Sequence, residues 1–209
     1  MSESQPHLET LAEIRELMEK SSRFISLSGL SGVFAGIFAL VGAAFAFVIL
    51  QADSFLYAEY TAAYSDRRTL LLLLLDSVAV LVASLSVAVI LTTRQARRKG
   101  QAVWGNTAKR LLFNLFVPLA TGGIFCLALL YHGEIGLIPP AMLIFYGLSL
   151  FNGSKYTLHD IRYLGVSEIL LGLVATFFIG YGLLFWAIGF GVLHIVYGAV
   201  MYRKYERNG

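Results

Sequence analysis

Three ionisable side chains fall deep inside apolar runs of this sequence: Asp76, Glu168 and His194. Asn114 is a polar fourth, nearer the end of its run. An ionisable group in hydrocarbon is costly unless it is paired or faces water, so each is a candidate for an ion pathway, a proton relay or a ligand site. Glu168 and His194 form a proton-handling combination. Histidine titrates near neutrality, and a carboxyl beside it titrates with it as one coupled unit. The competing use of the pair is structural: a buried hydrogen bond that fixes helix register, worth about 1 kcal/mol.

Whether the two can meet depends on the elements that carry them. The runs Ile161–Gly180 and Gly182–Tyr202 are separated by Tyr181 inside a Gly-Tyr-Gly turn. The spacing predicts a tight antiparallel hairpin of two helices, which sets Glu168 level with His194. It also sets Gly172 level with Gly191 and Gly165 level with Gly198, two small-residue faces of the kind close-packed membrane helices use. Glu168 then lies roughly 10–12 Å from the end of its helix at 1.5 Å rise per residue.

Asp76 occupies a comparable place near the start of the run Thr69–Thr93. The first run presents two small-residue ladders, Ser28/Gly32/Gly36 and Ser31/Ala35/Ala39/Ala43, on which the second helix is expected to pack with Asp76 inside. A weak repeat links the two acids. Asp76 is followed after four residues by Leu81-Val82-Ala83-Ser84, and Glu168 by Leu173-Val174-Ala175-Thr176. Leu111-Leu112-Phe113-Asn114 likewise resembles Leu183-Leu184-Phe185-Trp186. Two three-helix units so related would be inverted with respect to each other, an arrangement common in transporters.

The chain of 209 residues is 57% hydrophobic and 14% charged, against about 45–50% and about 25% in soluble domains. That excludes a water-soluble single-core domain, a disordered chain and a nucleic-acid-binding module. Six runs approach the roughly 20 residues that a span needs: Leu27–Leu50, Thr69–Thr93, Leu111–Tyr131, Ile135–Asn152, Ile161–Gly180 and Gly182–Tyr202. The predicted fold class is therefore all-α: a polytopic membrane protein with a six-helix bundle over 27–202. A segment 1–26 precedes it and a basic tail 203–209 follows it. No basic stretch precedes the first run, which reads as an uncleaved span. Pro139-Pro140 suits the first turn of the fourth helix, and Pro118 should kink the third.

Of the 16 Lys and Arg residues, only Arg67 and Arg68 fall on one side of the predicted bundle. The other side holds the N-terminal segment, the 94–110 loop, the 153–162 connection and the tail, so both termini are expected in the cytoplasm. Tyr57, Tyr60 and Tyr64 lie in the outer segment 51–68, where aromatic residues suit an interface. Leu8, Leu11, Ile14, Leu17, Met18 and Phe24 recur at helical spacing. They predict an amphipathic cytoplasmic helix that folds back on the bundle or docks a soluble partner. Its net charge is acidic, which argues against adsorption to anionic lipid.

No HExxH, His/Cys cluster or phosphate-binding loop is present. No catalytic residue, cofactor or metal site is expected, and an intramembrane hydrolase is the least favoured function. The run Gly180 to Gly198, with Ser26-Leu27-Ser28-Gly29-Leu30-Ser31-Gly32 ahead of the first span, resembles an uncharacterised family of bacterial six-span membrane proteins. The resemblance implies a bacterial inner-membrane location and carries no activity. Two functions stay open. One is a small solute or ion transport or binding protein, with Glu168, His194, Asp76 and Asn114 as its site. The other is a non-catalytic sensor or scaffold that docks a cytoplasmic protein through residues 8–24 and 94–110. The lipid bilayer is the expected surround, nucleic acid is not a partner, and self-association stays open.

Overall fold

The computed structural model describes residues 24, 27–50, 67–100 and 103–207. The amphipathic helix predicted over 8–24 lies outside them except for Phe24, as does the segment carrying Tyr57, Tyr60 and Tyr64. Six helices make up the described chain, with no strand among the described residues. They are α1 (Gly29–Ile49), α2 (Arg67–Arg98), α3 (Asn106–Tyr131), α4 (Ile138–Gly153), α5 (Ile161–Ala175) and α6. α6 runs through Gly182–Trp186, a π-helical stretch Ala187–Leu193 and His194–Tyr205.

Five segments are long and apolar enough to cross a membrane: Gly29–Ile49, Arg67–Arg98, Asn106–His132, Ile135–Tyr156 and Ile179–Tyr205. α5 differs from its predicted extent, 161–180. It has 15 residues, about 22 Å at 1.5 Å each, short of the ~30 Å hydrocarbon thickness. At its end Thr176 Oγ1 donates to Leu173 O at 2.6 Å. The next amides then bond three residues back, Phe177 to Val174 O and Phe178 to Ala175 O, the tightening that ends a helix. The connection to α6 is therefore longer than Gly-Tyr-Gly.

The small-residue faces also pair differently from expectation. α5 lies mainly on α4, and α6 lies mainly on α1. A Cβ at Gly165 would sit 2.8 Å from Gly147 O and Phe151 N of α4, and one at Gly198 would sit 2.5 Å from Val33 N of α1. These are backbone-to-backbone approaches that only a missing side chain allows. Gly32 and Gly36 of the first ladder on α1 face α6, while Ala43 of the second lies in a cluster that both α6 and Leu73 of α2 pack against. Ala43, Ala46 and Leu50 pack with Leu183 and Ala187, and α2 crosses α1 beside Gly42. Thus α1 holds α2 and α6, while α4 holds α3 and α5. Exchanging the first three helices for the last three leaves these four pairings unchanged.

Pro118 lies inside α3. It has no N–H to give to the carbonyl four residues earlier, which is that of Asn114. Asn152 Nδ2 of α4 donates to Asn114 O at 3.1 Å and to Asn114 Oδ1 at 3.1 Å. One turn on, Ser149 Oγ donates to Leu115 O at 2.6 Å. A neighbouring helix thus supplies the donors that the proline withholds, as membrane helices require.

Three contacts close the end of the bundle where α5 begins. Phe24 N donates to Tyr156 O at 2.8 Å, Thr157 Oγ1 donates to Phe24 O at 2.7 Å, and the Phe24 ring is buried with Ala96, Ala108 and Leu111. The Glu206 carboxylate accepts from Gly29 N and, at 3.3 Å, from Ser28 Oγ, an anion at the N-terminus of α1, where the helix dipole favours one. Asp160 Oδ2 accepts from Lys204 Nζ at 2.8 Å and Tyr205 Oη at 2.9 Å. Burial pushes the Asp160 carboxyl up, but these two hydrogen bonds and the Lys204 charge outweigh it and hold it below the usual carboxylate range.

Two outcomes follow for thermal melts in detergent. Asn152→Leu should cost about 1–3 kcal/mol, the desolvation of an unpaired buried acceptor. The same change in a Pro118→Ala background should cost less, because residue 118 then bonds Asn114 O. Asp160 has a lowered folded value, so its contribution is complete above the unfolded value, about 3.9, and is lost as pH falls through the folded one. Asp160→Asn should therefore melt earlier than wild type at neutral pH, and the two curves should converge in strong acid.

Candidate functional site

α5 brings Glu168 into the bundle interior, where it is fully buried, and α6 brings His194, which is also buried. His194 Nδ1 lies 3.4 Å from Glu168 Oε1. The two predicted partners do face each other, even though their helices meet through few other contacts. The approach is electrostatic and not an aligned hydrogen bond, for Nδ1 is also 3.0 Å from Gly189 O. The opposite ring nitrogen, Nε2, is 2.8 Å from Tyr146 Oη of α4. The tautomer that satisfies both contacts carries its proton on Nδ1, donates to Gly189 O and accepts from Tyr146. Among the described residues, neither oxygen of Glu168 then has a hydrogen-bond donor.

The π-helical stretch explains how one imidazole reaches these partners. Its sequence Ala-Ile-Gly-Phe-Gly-Val-Leu contains two glycines, and a π turn inserts one residue into the ordinary helical phase. Gly189 O, five residues before His194, thereby lies within reach of that side chain. Gly189 has a second role. A Cβ there would be 2.5 Å from Glu168 Oε2 and would strike Leu143 Cδ2. The carboxyl is therefore seated against bare backbone, and Leu143 and Leu171 close on the same glycine. Ring contacts fix the imidazole from its other sides. The His194 ring lies 5.3 Å from Tyr146 and 6.0 Å from Phe190, and Phe190 lies 5.2 Å from Trp186.

The other predicted site residues are elsewhere. Asp76 is half-buried against α1, with a carboxylate oxygen 3.4 Å from the position a Gly42 Cβ would take. Asn114 is engaged with Arg110 O and Asn152 and belongs to the proline junction. Among the described residues, no group of three His, Cys, Asp or Glu side chains could hold a metal ion.

Sequence reasoning missed Tyr146 and Gly189. Tyr146 reads as one more aromatic in an apolar run, and nothing in its spacing announces contact with a residue 48 positions later. The Gly-Phe-Gly at 189–191 was a usable signal. Two glycines one turn before an intramembrane histidine mark a place where backbone comes close to something. Searches of protein-family models, curated proteins and solved structures return no match to this chain. The fold and site define a protein whose described residues are helical, with several helices able to cross a membrane, and a cluster of buried Glu168 and His194 with half-buried Tyr146.

Because Glu168 has no hydrogen bond to lose, its removal should not weaken the fold. A buried polar group without a compensating hydrogen bond costs about 1–3 kcal/mol, a cost that an apolar residue of similar size does not carry. Glu168→Leu should hold or raise the melting temperature. A clear drop would show that the carboxyl is a structural tie. Gly189→Ala should lower it, since overpacking of this kind costs about 1–3 kcal/mol.

Proposed function

We propose that this protein is a six-span bacterial inner-membrane protein with cytoplasmic termini, and that it is a small solute or ion transporter whose working site is the Glu168–His194 pair. One observation carries the reading. Glu168 is a fully buried carboxyl without a hydrogen-bond donor, set against a histidine. Such a group is expensive to keep in a bundle unless it is used. The exchangeable pairing of the two helix triplets adds support, since paired inverted units are a transporter arrangement.

In this reading α5 is the sixth span, completed by the Thr176–Tyr181 connection. Asp76 serves as an entrance group on the opposite side of the membrane from the basic loops. Phe24, tied to Tyr156 and Thr157, supports an N-terminal segment that covers the cytoplasmic end of the bundle in preference to docking a partner.

The test uses purified protein in vesicles loaded with a pH-sensitive dye, with a membrane potential imposed by a potassium gradient. Wild type should acidify or alkalinise the lumen faster than empty vesicles, and Glu168→Gln should reduce the rate to that of empty vesicles with stability retained. Wild-type vesicles that behave like empty ones would contradict the proposal. Orientation is checked separately. Cysteines at Ala52 and Ser54 should react with an impermeant reagent added to intact cells, and a cysteine at Gly100 should not.

A further inference from the structure

We infer that the species this site takes up is a proton, not a metal cation or a solute molecule, and that Tyr146 is the positioning residue that responds to it. The inference rests on the transport reading for its purpose, but its geometry is independent of that reading.

The arrangement of donors is the first argument. Hard cations such as Ca2+ take about six to eight oxygens at about 2.3–2.6 Å. The oxygens near Glu168 and His194 are one carboxylate, one phenol and the Gly189 carbonyl. They are also divided by the imidazole ring. Glu168 and Gly189 O approach Nδ1, while Tyr146 Oη approaches Nε2 on the opposite edge. A single ion could not bond both the carboxylate and the phenol across that ring. Protons can, one on each nitrogen.

Packing is the second argument. Glu168 Oε2 lies against the bare backbone of Gly189, where even a methyl group would come within 2.5 Å of it, and Leu143 and Leu171 close on the same glycine. On that side the carboxyl has no room for a hydrated ion or a solute. A proton needs none.

The proton balance is simple. A hydronium ion outside the cluster gives up a proton and remains there as water, and an N–H bond forms at Nε2. The imidazole becomes a cation beside the Glu168 carboxyl, and both ring nitrogens are now donors. Tyr146 Oη can no longer donate to Nε2, so its O–H turns away and the phenol oxygen accepts. Nδ1–H then has both Gly189 O and Glu168 Oε1 as acceptors. Among the described residues, the titratable groups facing His194 are Tyr146 from α4 at Nε2 and Glu168 from α5 at Nδ1. The charged residues of α5's own start point elsewhere, Arg162 over the Phe151 ring and Asp160 to Lys204.

The experiment is nitrogen NMR on full-length protein in lipid nanodiscs, with 15N-labelled histidine and the His194→Gln spectrum used to assign the His194 signals. Lowering the pH stepwise from neutral should convert His194 from one protonated nitrogen to two. Adding Na+, Mg2+ or Zn2+ at constant pH should leave the signals in place. Glu168→Gln should abolish or displace the step. Tyr146→Phe should shift its midpoint, whereas Tyr163→Phe, on the exposed side of α5, should not. Signals that move with a cation at constant pH, or that do not respond to pH at all, would overturn the inference. So would a Tyr146→Phe titration that matches wild type. A normal titration with no flux in vesicles would leave this inference standing and remove the transport reading. Flux with a silent His194 would do the reverse.

Discussion

A carboxyl group without a hydrogen-bond donor, enclosed among leucines and bare glycine backbone, is the constraint around which this bundle is organised. Each surrounding feature bears on the cost of keeping Glu168 there. Gly189 has no side chain, so the carboxyl can seat against backbone. The π turn aims a carbonyl at His194 Nδ1, and Tyr146 holds Nε2. The imidazole is thereby fixed with its polar edge 3.4 Å from an acid that it does not fully satisfy. A satisfied hydrogen bond would make a stable but inert tie. An unsatisfied one leaves a group whose charge state is decided by whether a proton is present.

The rest of the fold supplies rigidity on either side of that seat. Two glycine-lined seams, α4 with α5 and α1 with α6, bring backbones close enough that the helices bearing Glu168 and His194 are each anchored to a different partner. They meet each other mainly at the site. The proline junction of α3 is, by contrast, fully satisfied by Asn152 and Ser149. Polar residues in apolar segments thus have two distinct uses here, and hydrogen-bond satisfaction separates them: Asn114 is structural, whereas Glu168 is not bonded.

Much of this was legible from residue type and spacing. Apolar runs of span length marked the helices, because hydrophobic length is what a membrane selects. Glu168 and His194 were matched by antiparallel depth, which survives even though their hairpin is looser than the Gly-Tyr-Gly turn suggested. The partner of each glycine face was not legible. Gly172 and Gly191 each offer the same smooth surface, and only tertiary assembly decides that one faces α4 and the other α1. The end of α5 at Ala175 was hidden for a similar reason. Thr176-Phe177-Phe178 is as apolar as a continuing helix, and its hydroxyl bond to Leu173 is a local choice that hydropathy does not record. Tyr146 was invisible because a phenol in an apolar run declares nothing until its partner is known.

The central claim is that a buried Glu168 carboxyl lies directly against His194. A solid-state NMR distance between the Glu168 side-chain carboxyl carbon and His194 Nδ1, in protein labelled at both sites and embedded in lipid, tests it most directly. The 3.4 Å approach of Oε1 to Nδ1 predicts strong dipolar coupling between the two labels. Undetectable coupling, with the nuclei beyond the reach of even one bridging water, would contradict the account.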